Sequence, residues 1–181
     1  ENKTATVQKK AIPAPSAGEA LVAVIYSGVC GTDLHLIDGY YPFTGVLGHE
    51  FVGRVVSAQP PAPSHQRFHA LSAVAVDIVG KRVVGDINVS CNAAPLCAMC
   101  SKGRHTHCLQ RRVLGIKGMN GSHGSYLMLP LENLLVVPDH VPDQAAVFVE
   151  PLAAALQVQQ QLALKPQDKV LVIGAGKLGM L

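Results

Sequence analysis

The stretch "EALVAVIYSGV", residues 19–29, is rich in apolar and β-branched residues, with Gly18 before it and Gly28 near its end. This composition between turn-forming glycines predicts a β-strand. Further short stretches of the same kind follow, each separated from the next by Gly, Pro or Asn: "EFVGRVV" at 50–56, "KRVVGDINV" at 81–89, "GSYLML" at 124–129 and "NLLVV" at 133–137. Many short strands with such turns predict a β-barrel or a sandwich-like domain.

The composition of the chain sets limits on its class. The 181 residues are 49% hydrophobic and 15% charged, which predicts a buried core in one domain, or in one domain plus a piece of another. The formal charge is +3 and the cations are scattered, so we expect no nucleic-acid partner. No apolar run reaches the ~18 residues of a membrane span. The polar start "ENKTATVQKK" has no apolar export segment, which makes the reducing cytoplasm the expected compartment.

The pattern changes near residue 142. The stretch "PDQAAVFVEPLAAALQVQQQLAL", residues 142–164, is rich in Ala, Leu and Gln and predicts helix, with Asp143 capping the first turn. Because proline suits the first helical position, we expect a short helix, a break at Glu150–Pro151, and a second helix to about residue 164. Residues 58–70, rich in proline and polar residues, predict a surface loop or an insertion.

Four of the five cysteines lie in "CNAAPLCAMCSKGRHTHC", residues 91–108. Four thiolates satisfy a tetrahedral Zn²⁺, and the C-x-x-C pair places two of them on one turn. The alternatives are a redox pair or reduced cysteines in the core, but the Gly, Asn and Ser residues around them argue against a core position. His105 and His107 are either substitute ligands or solvated loop residues. The sequence therefore predicts a zinc site formed by Cys91, Cys97, Cys100 and Cys108.

Two other stretches carry metal-binding residue types. "GVCGTDLH", residues 28–35, supplies Cys30, and "GVLGHEF", residues 45–51, supplies His49 and Glu50. A thiolate and an imidazole from separate segments, completed by a distant carboxylate, describe an open catalytic zinc site. Taken singly, a cysteine beside a strand is usually a core residue, and a His-Glu pair on a loop is usually solvated. Glu150 is a further candidate because it interrupts an apolar segment, although a solvent-facing glutamate at a helix start is the alternative.

The stretch "VLVIGAGKLG", residues 170–179, fits the G-x-G-x-x-G pattern after an apolar run. Such glycines permit a tight turn and close approach of the backbone to a pyrophosphate. We therefore predict a buried strand, a glycine turn that binds a dinucleotide, and the start of a helix. The turn residues are Gly174, Gly176, Lys177, Leu178 and Gly179. The acidic residue that reads the ribose is expected ~20 positions later, beyond this sequence, so NAD and NADP both remain open.

Together, and in this order, the five motifs resemble the zinc-dependent medium-chain alcohol dehydrogenases. They are "GVCGTDLH", "GVLGHEF", the cysteine lobe, "FVEPLAAAL" and "VLVIGAGKLG", and the resemblance runs from about residue 18 to the end. "VEPLAA" is most similar to the polyol and threonine dehydrogenase branches, in which a glutamate takes the place of a cysteine. The resemblance implies a fold of class α+β, mostly β: a GroES-like β-barrel catalytic domain at residues 1–143, then linking helices and the start of a Rossmann α/β coenzyme domain at 144–181.

The resemblance also implies roles for individual residues. Cys30 and His49 match the catalytic-zinc ligands, and for the remaining protein position we expect Glu150 first and Glu50 second, directly or through water. Thr32 matches the hydroxyl that contacts the substrate alcohol. Asp33 matches a carboxylate that supports the zinc histidine, and His35 matches a proton-relay histidine. The four lobe cysteines match a structural zinc site, so two Zn²⁺ per chain are expected.

This sequence departs from the family pattern in two respects. The first gap in the lobe is x5 rather than x2, as though "AAP" were inserted, which makes Cys91 the uncertain ligand. Most of a Rossmann domain and the usual first strand of the catalytic domain are also missing, so we expect these residues alone to be inactive.

The implied activity is hydride transfer from a primary or secondary alcohol, or a polyol, to NAD(P). The resemblance also implies a homodimer or homotetramer for the complete protein. Two alternatives remain: a zinc-binding module without catalysis, and a zinc-free member of the quinone-reductase type.

Overall fold

A five-stranded antiparallel sheet organises the structure, a computed structural model that describes residues 4–62, 75, 77–91 and 96–181. In space the strands follow the order β6-β1-β2-β3-β7, and β4 pairs with β5 in a separate two-stranded sheet. The strands are β1 (Glu19–Gly28), β2 (Glu50–Ala58), β3 (Arg82–Gly85), β4 (Asn88–Val89), β5 (Arg112–Val113), β6 (Tyr126–Pro130) and β7 (Leu134–Val136). The mostly-β prediction is confirmed. The stretch 81–89 forms two strands in different sheets rather than one.

The pairing of β1 with β2 brings two of the predicted motifs together. The ladder runs from Ala20 opposite Ala58 to Gly28 opposite Glu50. The end of β1 therefore lies beside the start of β2. Because the two motifs adjoin these strand ends, Cys30 and His49 meet at one edge of the sheet.

The core lies on both faces of this sheet. One cluster is built on the inward-facing residues of β1, β2 and β6, and includes Ala20, Val22, Phe51, Val55 and Leu129. A second cluster joins β2 and β3 to the first of the late helices through Val52, Val84, Val137 and Ala146. This second cluster holds the chain after β7 against the sheet.

Four α-helices are described: α1 (Gly31–Ile37), α2 (Asp143–Ala146), α3 (Val149–Gln161) and α4 (Lys177–Met180). The predicted break at Glu150–Pro151 is wrong by two to three residues, since the chain leaves helix at Val147–Phe148. Pro151 is the third residue of α3, where its missing N–H has no helical partner to lose. None of the helices in the part of the chain described is long and apolar enough to cross a membrane.

The predicted buried strand before the glycine turn is not formed. Residues 170–173 pair with no strand among the described residues, and Ile173 is 91% exposed. A central parallel strand is buried only when neighbouring strands and helices cover it, and the described residues supply none here. The predicted loop at 58–70 is irregular at 59–62, and its remainder, like 92–95 in the lobe, lies outside the described residues.

Candidate active site and metal centres

The first candidate metal centre contains a thiolate, an imidazole and a carboxylate. Ligand atoms of Cys30, His49 and Glu50 all lie within 4.8 Å of one another, and His49 and Glu50 are buried. Cys30 immediately precedes α1, while His49 and Glu50 lie at the start of β2. A mixed S, N and O donor set with three protein ligands is the pattern of an open zinc site. The residues present therefore fit Zn²⁺.

Gly28 makes room for the carboxylate in this cluster. A Cβ at residue 28 would lie 2.5 Å from Glu50 Oε2, closer than real Cβ contacts come. The absence of a side chain at Gly28 therefore lets Glu50 fold back beside Cys30. On its other oxygen, Oε1, Glu50 accepts a hydrogen bond from the Lys177 ammonium and forms an ion pair with it.

The Asp33 carboxylate contacts both segments that form the cluster. Its Oδ2 accepts a hydrogen bond from the Cys30 N–H at 2.9 Å, and its Oδ1 accepts one from the Gly48 N–H at 3.0 Å. The same carboxylate lies 3.6 Å from His49 Nδ1 and 3.5 Å from His123 Nε2. Burial alone raises the pKa of Asp33, but the contacts with His49 and the Cys30 N–H outweigh it and hold the pKa below its usual range. The carboxylate is therefore ionised and orients both segments.

His49 has the surroundings of a metal-binding imidazole. Burial lowers its pKa, but Asp33 and Cys30 outweigh burial and raise the pKa to about 9. Its Nδ1 is buried and makes no hydrogen bond within the part of the chain that is described. A metal-ligating histidine characteristically presents its second nitrogen to a carboxylate. The position of Asp33 agrees with that arrangement.

Glu150 lies near this centre but outside the cluster of three. It is half-buried in the first turn of α3. The pKa of Glu150 is raised, chiefly by burial. The charge of Glu50 adds to this effect, while His49 and Lys177 oppose it. Glu150 therefore belongs to the same electrostatic group as the cluster, although the structure brings Glu50, and not Glu150, among the other ligand atoms.

Thr32 connects the metal cluster to a small cavity. Its Oγ1 lies 3.6 Å from Cys30 Sγ. The cavity has a volume of about 160 Å³, on the order of five water molecules. Thr32 is one of the residues that line this cavity. The others are apolar, aromatic and cationic: Leu36, Tyr40, Tyr41, Arg111, Val113, Ile116 and Lys117. Of the residues that line the cavity, Thr32 is the one with a contact to the cluster, through Cys30.

His35 lies on the outside of α1. It is exposed, and its ring packs against Tyr40 with the centroids 6.3 Å apart. His35 is three residues after Thr32, so the two share one helix face. The described hydrogen bonds include none between them.

The second candidate metal centre is the cysteine lobe. Cys91 follows β4 and Cys108 precedes β5, so the β4–β5 pair closes the base of the lobe. Cys97 and Cys100 lie between them in the sequence, and Cys100 begins a 3₁₀ turn. All four cysteines are free thiols whose sulfur atoms lie within 4.8 Å of one another.

The sulfur spacing suits Zn²⁺. With Zn–S bonds of ~2.3 Å, sulfurs at the corners of a tetrahedron lie ~3.8 Å apart. Cys91 Sγ lies 3.6 Å from Cys108 Sγ, and Cys97 Sγ lies 3.9 Å from Cys108 Sγ. The Cys91 sulfur therefore lies within the group of four despite the wide first gap, and the residues "AAP" of that gap lie outside the described residues.

Backbone amides favour the thiolate form of one lobe cysteine, Cys97. The Cys100 N–H points at Cys97 Sγ at 3.5 Å, and this and neighbouring N–H groups lower the pKa of Cys97 to about 6. By contrast, burial and the other sulfurs raise the pKa of Cys100 to about 12. His105 and His107 are exposed in a second 3₁₀ turn and do not join the four sulfurs.

Two glycines of the turn occupy positions that a side chain would strain. Gly174 has a φ of +105°, and a Cβ at Gly179 would lie 2.0 Å from the Gly174 carbonyl oxygen. A Cβ at Gly176 would meet no atom within 4 Å, so the backbone is open on that side. A pyrophosphate can approach such a backbone closely, so the turn fits the dinucleotide that the motif implies.

Two features of the site were not predicted from the sequence. His123 contacts Asp33, and its Nδ1 lies 2.9 Å from Ser27 Oγ, but "GSHGSY" carries no signal for this role. The contact of Lys177 with Glu50 joins residues 127 positions apart. No local pattern indicates a pair so distant in sequence.

Comparison with protein families and known proteins identifies the fold. The family described as the alcohol dehydrogenase GroES-like domain matches residues 16–139. The starvation-sensing protein RspB of Escherichia coli (strain K12) is 37% identical over 182 residues, and the match covers 99% of this chain and 49% of RspB. A sorbitol dehydrogenase of Halalkalibacterium halodurans is 31% identical, with 97% of this chain and 47% of the relative covered.

Solved structures agree with this match. A structure described as a short chain alcohol dehydrogenase (rspB) from E. coli, complexed with NADH, aligns with a TM-score of 0.82 and 34% identity. That alignment covers 98% of this chain and 48% of the other. A Sinorhizobium meliloti protein described as a zinc-binding dehydrogenase, bound to NADP, aligns with a TM-score of 0.82 and 32% identity, covering 99% and 48%. The chain spans about half the length of the relatives it matches.

Proposed function

The chain belongs to the zinc-dependent alcohol dehydrogenase family through its GroES-like domain, and from that premise we propose that the protein is a zinc-dependent oxidoreductase. It transfers a hydride from an alcohol or polyol to NAD or NADP. The observation that carries this proposal is the Cys30, His49 and Glu50 cluster with the Thr32 cavity beside it. Its relatives include proteins named sorbitol dehydrogenase and alcohol dehydrogenase.

In this proposal Cys30, His49 and a carboxylate hold the catalytic zinc. When bound, the metal supplies Lewis-acid polarisation of the substrate hydroxyl. Glu50 is the first candidate for the carboxylate because its oxygen lies within the cluster, and Glu150 is the second. Asp33 acts as the supporting carboxylate by orienting His49 and the Cys30 backbone.

The proton of the alcohol leaves through this chain's own residues. Thr32 accepts a hydrogen bond from the substrate hydroxyl, and His35, one turn further along α1, passes the proton to solvent. The exposure of His35 and its place on the same helix face support this relay. The nicotinamide that takes the hydride is held by the turn of Gly174, Gly176, Lys177, Leu178 and Gly179. The open backbone at Gly176 supports that role.

The lobe zinc has a structural role. Four cysteine ligands leave no open position for a substrate, which is the pattern of zinc sites that stabilise a fold. We assign residues 1–143 to the catalytic domain and 144–181 to the start of the coenzyme domain. A cytoplasmic location is supported by the four lobe thiols, which need a reducing compartment to stay reduced. Assembly into a homodimer or homotetramer is implied by the family resemblance alone.

A substrate panel tests this function. A protein that carries these residues together with a complete coenzyme domain, purified with zinc, is assayed for reduction of NAD⁺ and NADP⁺ with sorbitol, L-threonine and 2-propanol. We expect turnover with one of these alcohol classes, inhibition by 1,10-phenanthroline, and loss of turnover in Cys30→Ser. Turnover that survives both the chelator and Cys30→Ser would contradict the proposal and favour a zinc-free reductase. Binding of zinc without turnover on the panel would favour a zinc-binding module.

A further inference from the structure

Lys177 belongs to two candidate sites at once. It lies between the second and third glycines of the turn, where α4 begins. Its ammonium nevertheless forms an ion pair and a hydrogen bond with Glu50 of the metal cluster. The dinucleotide turn therefore has a direct side-chain contact with the cluster.

Burial makes this contact consequential for Glu50. The Glu50 side chain is only 4% exposed, whereas the Lys177 side chain is 30% exposed. A buried carboxylate requires a cationic or metal partner to offset the loss of hydration. Among the described residues, Lys177 provides that partner. A metal held by Cys30, His49 and Glu50 would share this carboxylate with Lys177.

Lys177 has a second anionic partner in prospect. The motif brings the phosphates of a dinucleotide to the backbone of the turn that carries Lys177. Lysine binds phosphate as a compact point charge on a flexible stem. Because this side chain is partly exposed, it can turn from Glu50 to a phosphate without opening the core. Glu150 lies in the same electrostatic group, so removal of the ammonium also leaves Glu50 facing a like charge.

We propose that Lys177 is a positioning residue that couples dinucleotide binding to metal ligation by Glu50. Without the dinucleotide, Lys177 pairs with Glu50. With the dinucleotide bound, Lys177 turns to its phosphates and frees the Glu50 carboxylate for the metal. The inference rests on the proposed function, since it needs both sites.

Thermodynamic linkage gives the coupling a measurable form. A dinucleotide that tightens metal binding must itself bind more tightly, by the same factor, when the metal is present. Couplings between sites are typically ~5–150-fold, and exchange of one ion pair suggests ~10-fold here. Loss of the Lys177 ammonium should reduce this coupling factor from ~10-fold to about one.

Cobalt provides the readout. A protein that carries these residues together with a complete coenzyme domain is loaded with Co²⁺ in place of Zn²⁺ and titrated with NADH and, separately, NADPH, while the visible absorption of cobalt is recorded. Cobalt bound in the cysteine lobe absorbs equally before and after each addition of dinucleotide. The difference spectrum therefore reports the cobalt at the Cys30 site. Metal affinity is measured by chelator competition with and without the dinucleotide. The variants are Lys177→Met and Lys177→Arg, with Lys169→Met, an exposed lysine before the turn, as the matched control.

We expect a difference spectrum and about 10-fold tighter metal binding with dinucleotide in the unmodified protein and in Lys169→Met. Lys177→Met should bind Co²⁺ with no such response, and Lys177→Arg should restore part of it. An equal response in Lys177→Met would overturn the inference. So would dinucleotide binding to the unmodified protein without any change at cobalt. Failure of both dinucleotides to bind would overturn the proposed function itself, and this inference with it.

Discussion

Gly28 and Glu50 face each other across the β1–β2 ladder, so closely that a Cβ on residue 28 would lie 2.5 Å from Glu50 Oε2. The end of one strand thereby decides where the carboxylate at the start of the next can lie. The metal cluster depends on this pairing because Cys30 and His49 come from the same two strand ends.

Gly28→Ala should therefore move the Glu50 carboxylate out of the cluster. The added methyl group meets the far end of a side chain, so the fold should survive while the first metal site weakens by about 10-fold, the lower end of the effect expected for a lost partner. Chelator competition measures this affinity. Gly31→Ala is the control, since a Cβ there meets nothing within 4 Å. Equal affinities in the two variants would show that Gly28 does not position Glu50.

Asp33→Asn should weaken both the fold and the metal site. The two oxygens of Asp33 accept hydrogen bonds from the Cys30 and Gly48 N–H groups. In asparagine one of these oxygens becomes an NH₂ group, which cannot accept, so one of the two N–H groups loses its partner. We expect a loss of about 2–3 kcal/mol in the free energy of unfolding, and 10–100-fold weaker zinc binding. Urea denaturation and chelator competition measure the two effects. Asp38→Asn, at the exposed end of α1, should change neither. A stable Asp33→Asn with unchanged zinc affinity would remove Asp33 from the site.

Cys100→Ser should unfold the lobe without removing the first metal site. The sulfur is buried among three others, and its loss opens the tetrahedral donor set. A loss of about 3 kcal/mol would lower the melting temperature by about 6–12 °C in a chain of this size. Calorimetry measures the change. Ser101→Ala, at the exposed neighbouring position, should melt like the unmodified protein. Identical melting of the two variants would argue against a structural zinc.

Thr32→Ala and His35→Gln should differ in their effect on alcohol oxidation. Thr32 lines the cavity beside Cys30, so its removal should be severe at every pH. His35 is exposed, so solvent and buffer can replace it, and the loss should be about 10-fold near neutral pH with recovery under alkaline conditions. Profiles of kcat against pH compare them, with the exposed His105→Gln as control. An unchanged profile for His35→Gln would remove the relay and leave the metal site standing.

The strands and the cysteine lobe were predictable because their signals are local. Apolar, β-branched runs between glycines predict strands such as β1 and β2, and thiol spacing predicts a metal lobe whatever its surroundings. The contacts that organise the first site are long-range. Gly28 opposite Glu50 depends on strand register, and His123 and Lys177 reach the site from distant segments.

Two predictions about secondary structure were wrong for physical reasons. Residues 170–173 have the composition of a buried strand, but burial depends on neighbouring elements that the described residues do not supply. Pro151 suggested a helix start because proline suits the first position, but the third position also lies within the first turn, where proline costs no hydrogen bond. Composition indicates which structures a segment can adopt, and the surrounding elements decide among them.

The zinc content of the purified protein tests the central claim most directly. Elemental analysis of protein prepared without chelator should give two zinc ions per chain. Cys30→Ser and Cys91→Ser should each lower the count to one, because each removes a ligand from a different site. The double variant should hold none. A single zinc ion in the unmodified protein, or a count that Cys30→Ser leaves unchanged, would contradict the assignment of a catalytic metal to Cys30, His49 and Glu50.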